Sequence, residues 1–116
     1  MKVKRIVANV KAKNLDDAKR FYQQVLGLEE FMNLGWIATY GSKTRSTVQI
    51  SFMKEGGLGT AVPDISIEVD NVDEAYKRMK DGEFKIEYKI TDEPWGVRRF
   101  FVRDPFGKLV NILSHA

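Results

Sequence analysis

The sequence predicts an α+β fold built from two copies of one β-α-β-β-β unit. The first observation is a repeat, in which Asn14–Ala18 (NLDDA) returns as Asn71–Ala75 (NVDEA). The second is a later repeat at nearly the same offset, in which Thr47–Ser51 (TVQIS) returns as Leu109–Leu113 (LVNIL). Two half-length copies in a chain of 116 residues indicate a pseudo-twofold architecture with a cleft between the halves.

The first copy is predicted to contain a strand, a helix and three further strands. Residues 3–12 alternate in polarity, which predicts a strand with Ile6, Ala8 and Val10 facing the helix. Asn14 is a suitable N-cap, and Gly27 is suited to end the helix. The predicted apolar face of this helix comprises Leu15, Ala18, Tyr22, Val25 and Leu26. Extended segments follow at about residues 28–33, 36–40 and 47–52, with a turn at 41–44.

The second copy repeats this order. Ile65, Ile67 and Val69 predict the first strand, and Asn71 with Glu74 forms a helix start similar to a capping box. The predicted helix face comprises Val72, Ala75, Tyr76 and Met79, and Gly82 ends the helix. Extended segments follow at about residues 84–90, 97–103 and 108–113. The last two are joined by Asp104-Pro105-Phe106-Gly107, which suits a type I turn.

These boundaries predict a single domain of 116 residues with two modules. Module 1 covers about residues 1–54, a linker covers 55–63, and module 2 covers about 64–116. The linker is rich in glycine, but it lies between two strands and not before a helix. We therefore interpret it as a flexible linker and not as a phosphate-binding loop.

Composition excludes several classes of function. The absence of cysteine excludes disulfides, thiolate metal sites and thiol nucleophiles. The net charge of +3 comes from basic residues interleaved with acidic ones, so we expect no nucleic-acid partner. No apolar run approaches the roughly 20 residues that cross a bilayer, so we expect no membrane partner. The first residues lack an apolar signal core, and we expect a cytoplasmic protein.

The sheet face opposite the helices is predicted to be mixed in polarity. Its residues, by alternation, are Arg5, Val7, Asn9, Thr47, Gln49, Ser51, Asp64, Ser66, Glu68, Leu109, Asn111 and Leu113. A face that is neither wholly apolar nor wholly charged suits a ligand-holding concavity. The alternative is an antiparallel sheet with one face in water, which is common.

The duplicated unit, the segment FYQQVLGL at residues 21–28 and the closing stretch Trp95–Ile112 resemble the vicinal oxygen chelate superfamily. That group includes glyoxalases, bleomycin-resistance proteins and extradiol dioxygenases. The resemblance implies two modules whose sheets curl into an open, barrel-like cleft, and it implies a homodimer. Both motifs are specific for the fold and weak for the reaction, because one fold hosts many chemistries.

The resemblance also implies where metal ligands would lie, on the first and fourth strands of each module. Placed by motif, these positions are Val7, Gln49, Asp64 and Asn111. Valine cannot coordinate, and neutral amides are weak ligands for a catalytic divalent ion. The single histidine, His115, is expected in a frayed C-terminal tail. We therefore expect no metal site and no cofactor.

Six residues are predicted to bind a ligand. Gln49, Asp64 and Asn111 would offer hydrogen bonds. Trp36 and Trp95 would form aromatic walls, although both rings could instead bury area at the sheet rim. Arg98 and Arg99 should point to opposite faces, and we take Arg98 as the one facing the ligand. The alternative for that arginine is a salt bridge with Asp64, Glu68 or Glu93.

The leading hypothesis is metal-free binding of a planar or amphipathic small molecule, as in the bleomycin-resistance branch of the superfamily. A second hypothesis is a metal-dependent lyase, isomerase or dioxygenase that retains a metal through Asp64. A third is an interaction or regulatory module without a small ligand. Whether the protein is an enzyme stays open at this point.

Overall fold

A computed structural model describes residues 1–42 and 49–115 of the chain. Its strands are β1 Val3–Lys11, β2 Glu29–Asn33, β3 Ile37–Gly41, β4 Gln49–Met53, β5 Ile65–Val69, β6 Ile86–Asp92, β7 Val97–Arg103 and β8 Leu109–His115. Its helices are α1 Leu15–Ala18, continued by a π-helical segment at Lys19–Val25, and α2 Val72–Asp81. The predicted α+β class and the twofold β-α-β-β-β order are confirmed. The predicted turn at 43–44 and strand start at 47–48 lie outside the described residues.

The chain divides into two units, here called the N-terminal and C-terminal units. The N-terminal unit comprises Val7–Val62 and has the strand order β2-β3-β4-β1. The C-terminal unit comprises residues 63–115 together with residues 1–6, which include the beginning of β1. Its other strands have the order β5-β8-β7-β6. In each unit the first and last strands of a β-α-β-β-β copy pair in parallel, and the remaining neighbours are antiparallel. Neither helix among the described residues could cross a membrane.

The core of the C-terminal unit lies between α2 and one face of its sheet. Asn71 caps α2 by accepting a hydrogen bond from the Glu74 backbone N–H at 3.0 Å, and the helix ends at Asp81 before Gly82. The Tyr76 and Phe100 rings meet edge to face with centroids 4.9 Å apart. The buried cluster comprises Val69, Val72, Ala75, Phe100, Val102, Val110 and Ile112. The predicted helix-facing rows of β5 and β8 are therefore confirmed.

The core of the N-terminal unit is smaller. Its buried residues are Leu15, Ala18, Ala38, Tyr40 and Phe52. Asn14 caps α1 as predicted, accepting from the Asp16 backbone N–H at 2.9 Å. Burial, together with the hydrogen bond that the Tyr40 hydroxyl donates to Glu30, raises the pKa of Tyr40 to about 12.

The predicted row of β1 lies on the helix side, because Ala8 and Val10 are the register partners of Ile50 and Phe52, which pack with α1, but the prediction that this row is buried is wrong. Ile6 is 58% exposed and Val10 is 42% exposed, whereas Val7 of the opposite row is 5% exposed. The helical residues Leu15 and Ala18 pack in the cluster with residues of β3 and β4, and the β1 row is not part of that cluster. Alternation therefore assigned this row to the correct face of β1 but did not predict its exposure.

The predicted apolar face of the first helix also fails at its C-terminal end. Val25 is 73% exposed and Leu26 is 57% exposed. The helix changes to π-helical winding from Lys19 onward, and the Leu26 backbone N–H bonds to the Phe21 carbonyl, five residues back. The wider turn shifts later residues away from the stripe that a regular α-helix would form. Gly27 follows with a φ of 76°, so the predicted left-handed end of the helix is confirmed.

Two loops are ordered by their own hydrogen bonds. In the predicted β7–β8 turn, the Gly107 backbone N–H donates to the Asp104 carbonyl at 3.1 Å. In the linker, Gly56 and Thr60 are joined by a backbone bond of 2.8 Å. A side chain at position 56 would collide with the Ala61 carbonyl, so glycine is required there for a close backbone approach.

The first residues of the chain are bound to the C-terminal unit by backbone and charged contacts. The Lys2 backbone N–H donates to the Asp70 carboxylate at 2.8 Å, and the Asp70 N–H donates to the Lys2 carbonyl at 3.1 Å. Arg5 Nε donates to Glu68 Oε1 at 2.8 Å, while Glu68 Oε2 lies 2.8 Å from His115 Nδ1. The expectation that His115 lies in a frayed tail is wrong, because His115 is part of β8 and contacts β5 through Glu68.

The charge of Glu68 makes these contacts depend on pH. Burial raises the pKa of the Glu68 carboxyl, but the His115 hydrogen bond and the Arg5 guanidinium outweigh burial and hold the pKa below its ordinary value. A carboxyl with a lowered folded-state pKa stabilises the fold above its unfolded-state pKa, and that stabilisation is lost as the pH falls through the folded-state value.

We expect Glu68→Gln to lower the free energy of unfolding at pH 7 by about 1–2 kcal/mol, because the charge-assisted bonds of Glu68 are weakened. Urea denaturation at pH 7 and at successively lower pH should show the difference between wild type and variant shrink and then vanish as the pH falls through the folded-state pKa of Glu68, which lies below the ordinary value of 4.5. Asp81→Asn is the control, because the Lys77–Asp81 pair is exposed and screened by water, so its loss should leave the free energy of unfolding nearly unchanged. A difference that persists unchanged in acid would contradict the role of the Glu68 charge.

Candidate functional site

Four side chains form a transverse row on the C-terminal sheet, on the face opposite α2. Across β7 and β8, Phe101 is the register partner of Asn111, and across β8 and β5, Asn111 is the partner of Ser66. Tyr88 of β6 is the partner of Phe101. Side chains of register partners point to the same face. The row therefore runs from two aromatic rings, whose centroids lie 5.2 Å apart, to an amide and a hydroxyl.

Asn111 is the polar centre of this row. The residue is 7% exposed, and its Nδ2 donates to Ser66 Oγ at 3.1 Å. Its other polar atom, Oδ1, is buried and accepts no hydrogen bond from any residue in the described ranges 1–42 and 49–115. A buried acceptor without a donor costs about 1–3 kcal/mol, so Asn111 offers an unused acceptor to a group that brings an N–H or O–H.

Arg99 lies one row further along the same face and forms a buried ion pair. Its Nη2 and Nε lie 2.7 Å and 2.8 Å from Glu93 Oε2. The two side chains are 3% and 1% exposed. The guanidinium carbon also lies 4.8 Å from the Phe101 ring centroid. The pair is therefore surrounded by protein and is in contact with the row that contains Asn111.

Two more aromatic rings contact this guanidinium. The Trp95 centroid lies 4.9 Å and the Tyr88 centroid 5.3 Å from the Arg99 guanidinium carbon. The Tyr88 hydroxyl also donates to the Glu93 carboxylate at 3.2 Å. The β6–β7 turn places Glu93 and Trp95, since the Glu93 N–H bonds to the Val97 carbonyl at 2.8 Å. Gly96, with a φ of 90°, completes that turn.

The choice of Arg98 as the arginine on the face opposite α2 is wrong. Arg98 Nη2 lies 3.0 Å from Asp73 Oδ1, on α2, and Nη1 lies 3.1 Å from Asp92 Oδ2. These hydrogen bonds raise the pKa of the Arg98 guanidinium above its ordinary value. The prediction that the two adjacent arginines point to opposite faces is confirmed, and Arg99 is the one on the face with Asn111.

Asp64 was expected to occupy the position in the second copy that Val7 occupies in the first. Strand register gives that position to Ser66 instead. The neighbour of Asn111 in β5 is Ser66, whereas Asp64 exchanges two bonds of 2.8 Å with the Leu109 backbone, one through its N–H and one through its carboxylate. Counting back from the helix misplaced the position because the β1–α1 connection is longer than the β5–α2 connection. Asp64 thus joins the beginnings of β5 and β8, one row away from Asn111.

The remaining predicted residues lie in the N-terminal unit or beside Arg99. Trp36 is half-buried, and its carbonyl accepts from the Lys54 N–H at 2.8 Å. Gln49 is half-buried at the start of β4, where it is the register partner of Gly41. One row further, the Thr39 and Ser51 hydroxyls are joined at 2.7 Å and are buried. Within the C-terminal unit, Trp95 and Asn111 both contact the Arg99–Phe101 segment of β7.

Sequence reasoning missed Tyr88 and Ser66 as members of the site, and it named Glu93 only as one of three possible salt-bridge partners of the inward arginine. The signal available for Glu93 was its position directly before the turn Pro94-Trp95-Gly96, which places its carboxylate at the end of the β6–β7 hairpin. Ser66 was already on the opposite row by alternation. Neither signal indicates burial, which arises from contacts between strands that are distant in the chain.

The residues at the metal positions of the family do not fit a divalent cation. Val7 and Gln49 in one unit, and Ser66 and Asn111 in the other, bring no carboxylate and no imidazole. Across the described ranges, no cluster of three or more histidine, aspartate or glutamate side chains could hold a metal ion. The side chains at this site can donate and accept hydrogen bonds and contact a flat ring.

Solved structures with the same fold share little sequence with this chain. A structure named NAD-dependent benzaldehyde dehydrogenase from Legionella pneumophila has a TM-score of 0.77 and 19% identity, with 96% of this chain and 99% of that chain covered. A glyoxalase/bleomycin resistance protein/dioxygenase superfamily member from Vibrio splendidus 12B01 has a TM-score of 0.68 and 17% identity, with 97% and 99% covered. These identities support a shared fold and no shared reaction.

A variant of Streptomyces coelicolor methylmalonyl-CoA epimerase in complex with 2-nitronate-propionyl-CoA is similar at a TM-score of 0.73 and 18% identity, with 99% of each chain covered. No curated protein matches the sequence. The family model described as Glyoxalase/Bleomycin resistance protein/Dioxygenase superfamily matches residues 3–112, which is nearly the whole chain. The chain therefore belongs to the glyoxalase/bleomycin resistance protein/dioxygenase superfamily.

Proposed function

We propose that this protein binds a small molecule without a metal, on the face of the C-terminal sheet that contains Asn111. The observation that supports this function is the buried, unused acceptor Asn111 Oδ1, with Ser66 on one side and the Phe101 ring on the other. A ligand that donates a hydrogen bond to Oδ1 and places a flat apolar surface near Phe101 would match both features.

The composition of the row favours binding over catalysis. General acid–base chemistry needs a group that can exchange a proton near neutral pH, and the Asn111 amide, the Ser66 hydroxyl and the Phe101 ring do not supply one. The Tyr88 phenol, the fourth member of the row, donates its hydrogen bond to Glu93. The Glu93 carboxylate contacts two nitrogens of Arg99 and is 1% exposed, and the Asp64 carboxylate accepts from the Leu109 N–H. A metal-dependent reaction would need ligands that the family positions lack. Binding is therefore the function that these residues support best.

A homodimer and a cytoplasmic location also stay proposals. Apolar side chains at the surface of the N-terminal unit, including Phe21, Val25 and Leu26, are compatible with contact to a second copy. Sedimentation of the purified protein would measure the number of copies directly.

We expect N-phenyl-1-naphthylamine, a flat uncharged dye with one N–H donor, to bind the wild-type protein with an increase in fluorescence. Asn111→Leu should raise the dissociation constant about 5- to 10-fold, because the hydrogen bond from the dye to Oδ1 is lost. Thermal unfolding should show a variant of near wild-type stability, since leucine has a similar size and removes an unpaired acceptor. Unchanged affinity in a folded variant would contradict a role for Asn111.

We expect binding of this dye to be independent of metal. Dialysis against EDTA should leave the dissociation constant unchanged, because no described residue cluster at the site can hold a divalent ion. Elemental analysis of protein purified without chelators should find nickel, zinc, iron and manganese far below one equivalent. A stoichiometric metal whose removal abolishes binding would instead support a metal-dependent lyase, isomerase or dioxygenase.

A further inference from the structure

We infer that the ligand of this site is an uncharged molecule, and that Glu93 is the residue that determines this specificity by cancelling the charge of Arg99. The inference rests on the proposed function, since it concerns the ligand bound beside Asn111. It adds the chemical class of that ligand and names Glu93, in the β6–β7 turn, as the residue that selects it through Arg99.

The first step is the position of Arg99. Its guanidinium carbon lies 4.8 Å from the Phe101 ring centroid, and Phe101 is the register partner of Asn111. The register partner of Arg99 on β8 is Leu113, one row from Asn111 on the same face. A guanidinium so placed would be a strong anchor for a carboxylate or phosphate if its charge were uncompensated.

The second step is that the charge is compensated in a buried setting. Two nitrogens of Arg99 contact one oxygen of Glu93 at 2.7 Å and 2.8 Å, and both side chains are at most 3% exposed. Tyr88 adds a hydrogen bond to the same carboxylate. The pair has no net charge, and water does not reach it to screen or replace either member.

The third step is that neighbouring cations on the face also have carboxylate partners. Arg5 Nε contacts Glu68 at 2.8 Å, and Arg103 Nε contacts Glu87 at 3.1 Å. An anion brought out of water to Asn111 would therefore meet cations that are already neutralised. Because removing an unpaired charge from water is costly, the site favours a ligand without charge.

Two matched dyes test this inference. N-phenyl-1-naphthylamine and 8-anilinonaphthalene-1-sulfonate share the anilinonaphthalene skeleton and differ by one sulfonate. We expect wild-type protein to bind the uncharged dye at least about tenfold more tightly than the sulfonate. Glu93→Gln keeps the shape and an acceptor for Arg99 but removes the negative charge, so it should improve sulfonate binding about tenfold relative to the uncharged dye.

Asp81→Asn is the matched control. It removes a carboxylate from the exposed Lys77 pair on α2, away from the face that contains Asn111, and it should leave the ratio of the two affinities unchanged. Circular dichroism and thermal unfolding should accompany each titration. If Glu93→Gln does not fold, the wild-type ratio decides by itself.

The outcomes separate the two proposals. If the uncharged dye does not bind wild type, the proposed function and this inference both fall. If it binds but the sulfonate binds equally well or better, the function stands and the inference is overturned. A folded Glu93→Gln variant with the wild-type ratio overturns it as well, because Arg99 would then have no effect on ligand charge.

Discussion

Parallel pairing of β5 with β8 is the constraint on which the candidate site depends. These strands are separated in the chain by α2, β6 and β7, and their register places Ser66 beside Asn111. The same register places Ile65, Ile67, Val110 and Ile112 on the opposite face, where they pack with α2. A shift of one residue would exchange the two faces and bury the amide row under the helix. Core and site are thus two consequences of one strand alignment.

The fold could be predicted from the sequence where signals are local. The helix caps Asn14 and Asn71, the end at Gly27 and the β7–β8 turn depend on neighbouring residues, and all of them are as expected. The second helix and its apolar face follow from 3.6-residue periodicity. In the first copy the periodicity misleads after Lys19, because π-helical winding changes the number of residues per turn.

The site was harder to predict, because its members are assembled across strands. In β7 both alternating rows contain large apolar residues, with Phe100 on one and Phe101 on the other, so parity alone cannot assign Arg98 and Arg99 to a face. The orientation of each arginine follows from its ion pair, since Arg98 binds Asp73 on α2 and Arg99 binds the turn residue Glu93. The mixed polarity of the Asn111 row was visible in the sequence. The burial of this row could not be predicted from the sequence, and it is burial that makes an acceptor without a donor costly.

The first six residues of the chain belong to the C-terminal unit, although they precede the N-terminal one. Lys2 exchanges backbone and carboxylate bonds with Asp70, and Arg5 contacts Glu68. A cut in the glycine-rich linker would therefore not release two independent halves. A C-terminal fragment would lose Arg5, one of the two partners of Glu68, and it would lose the Lys2 partner of Asp70. An N-terminal fragment would retain a segment whose partners lie in the other fragment. The first six residues and the C-terminal unit therefore share one set of contacts, although the whole N-terminal unit lies between them in the chain.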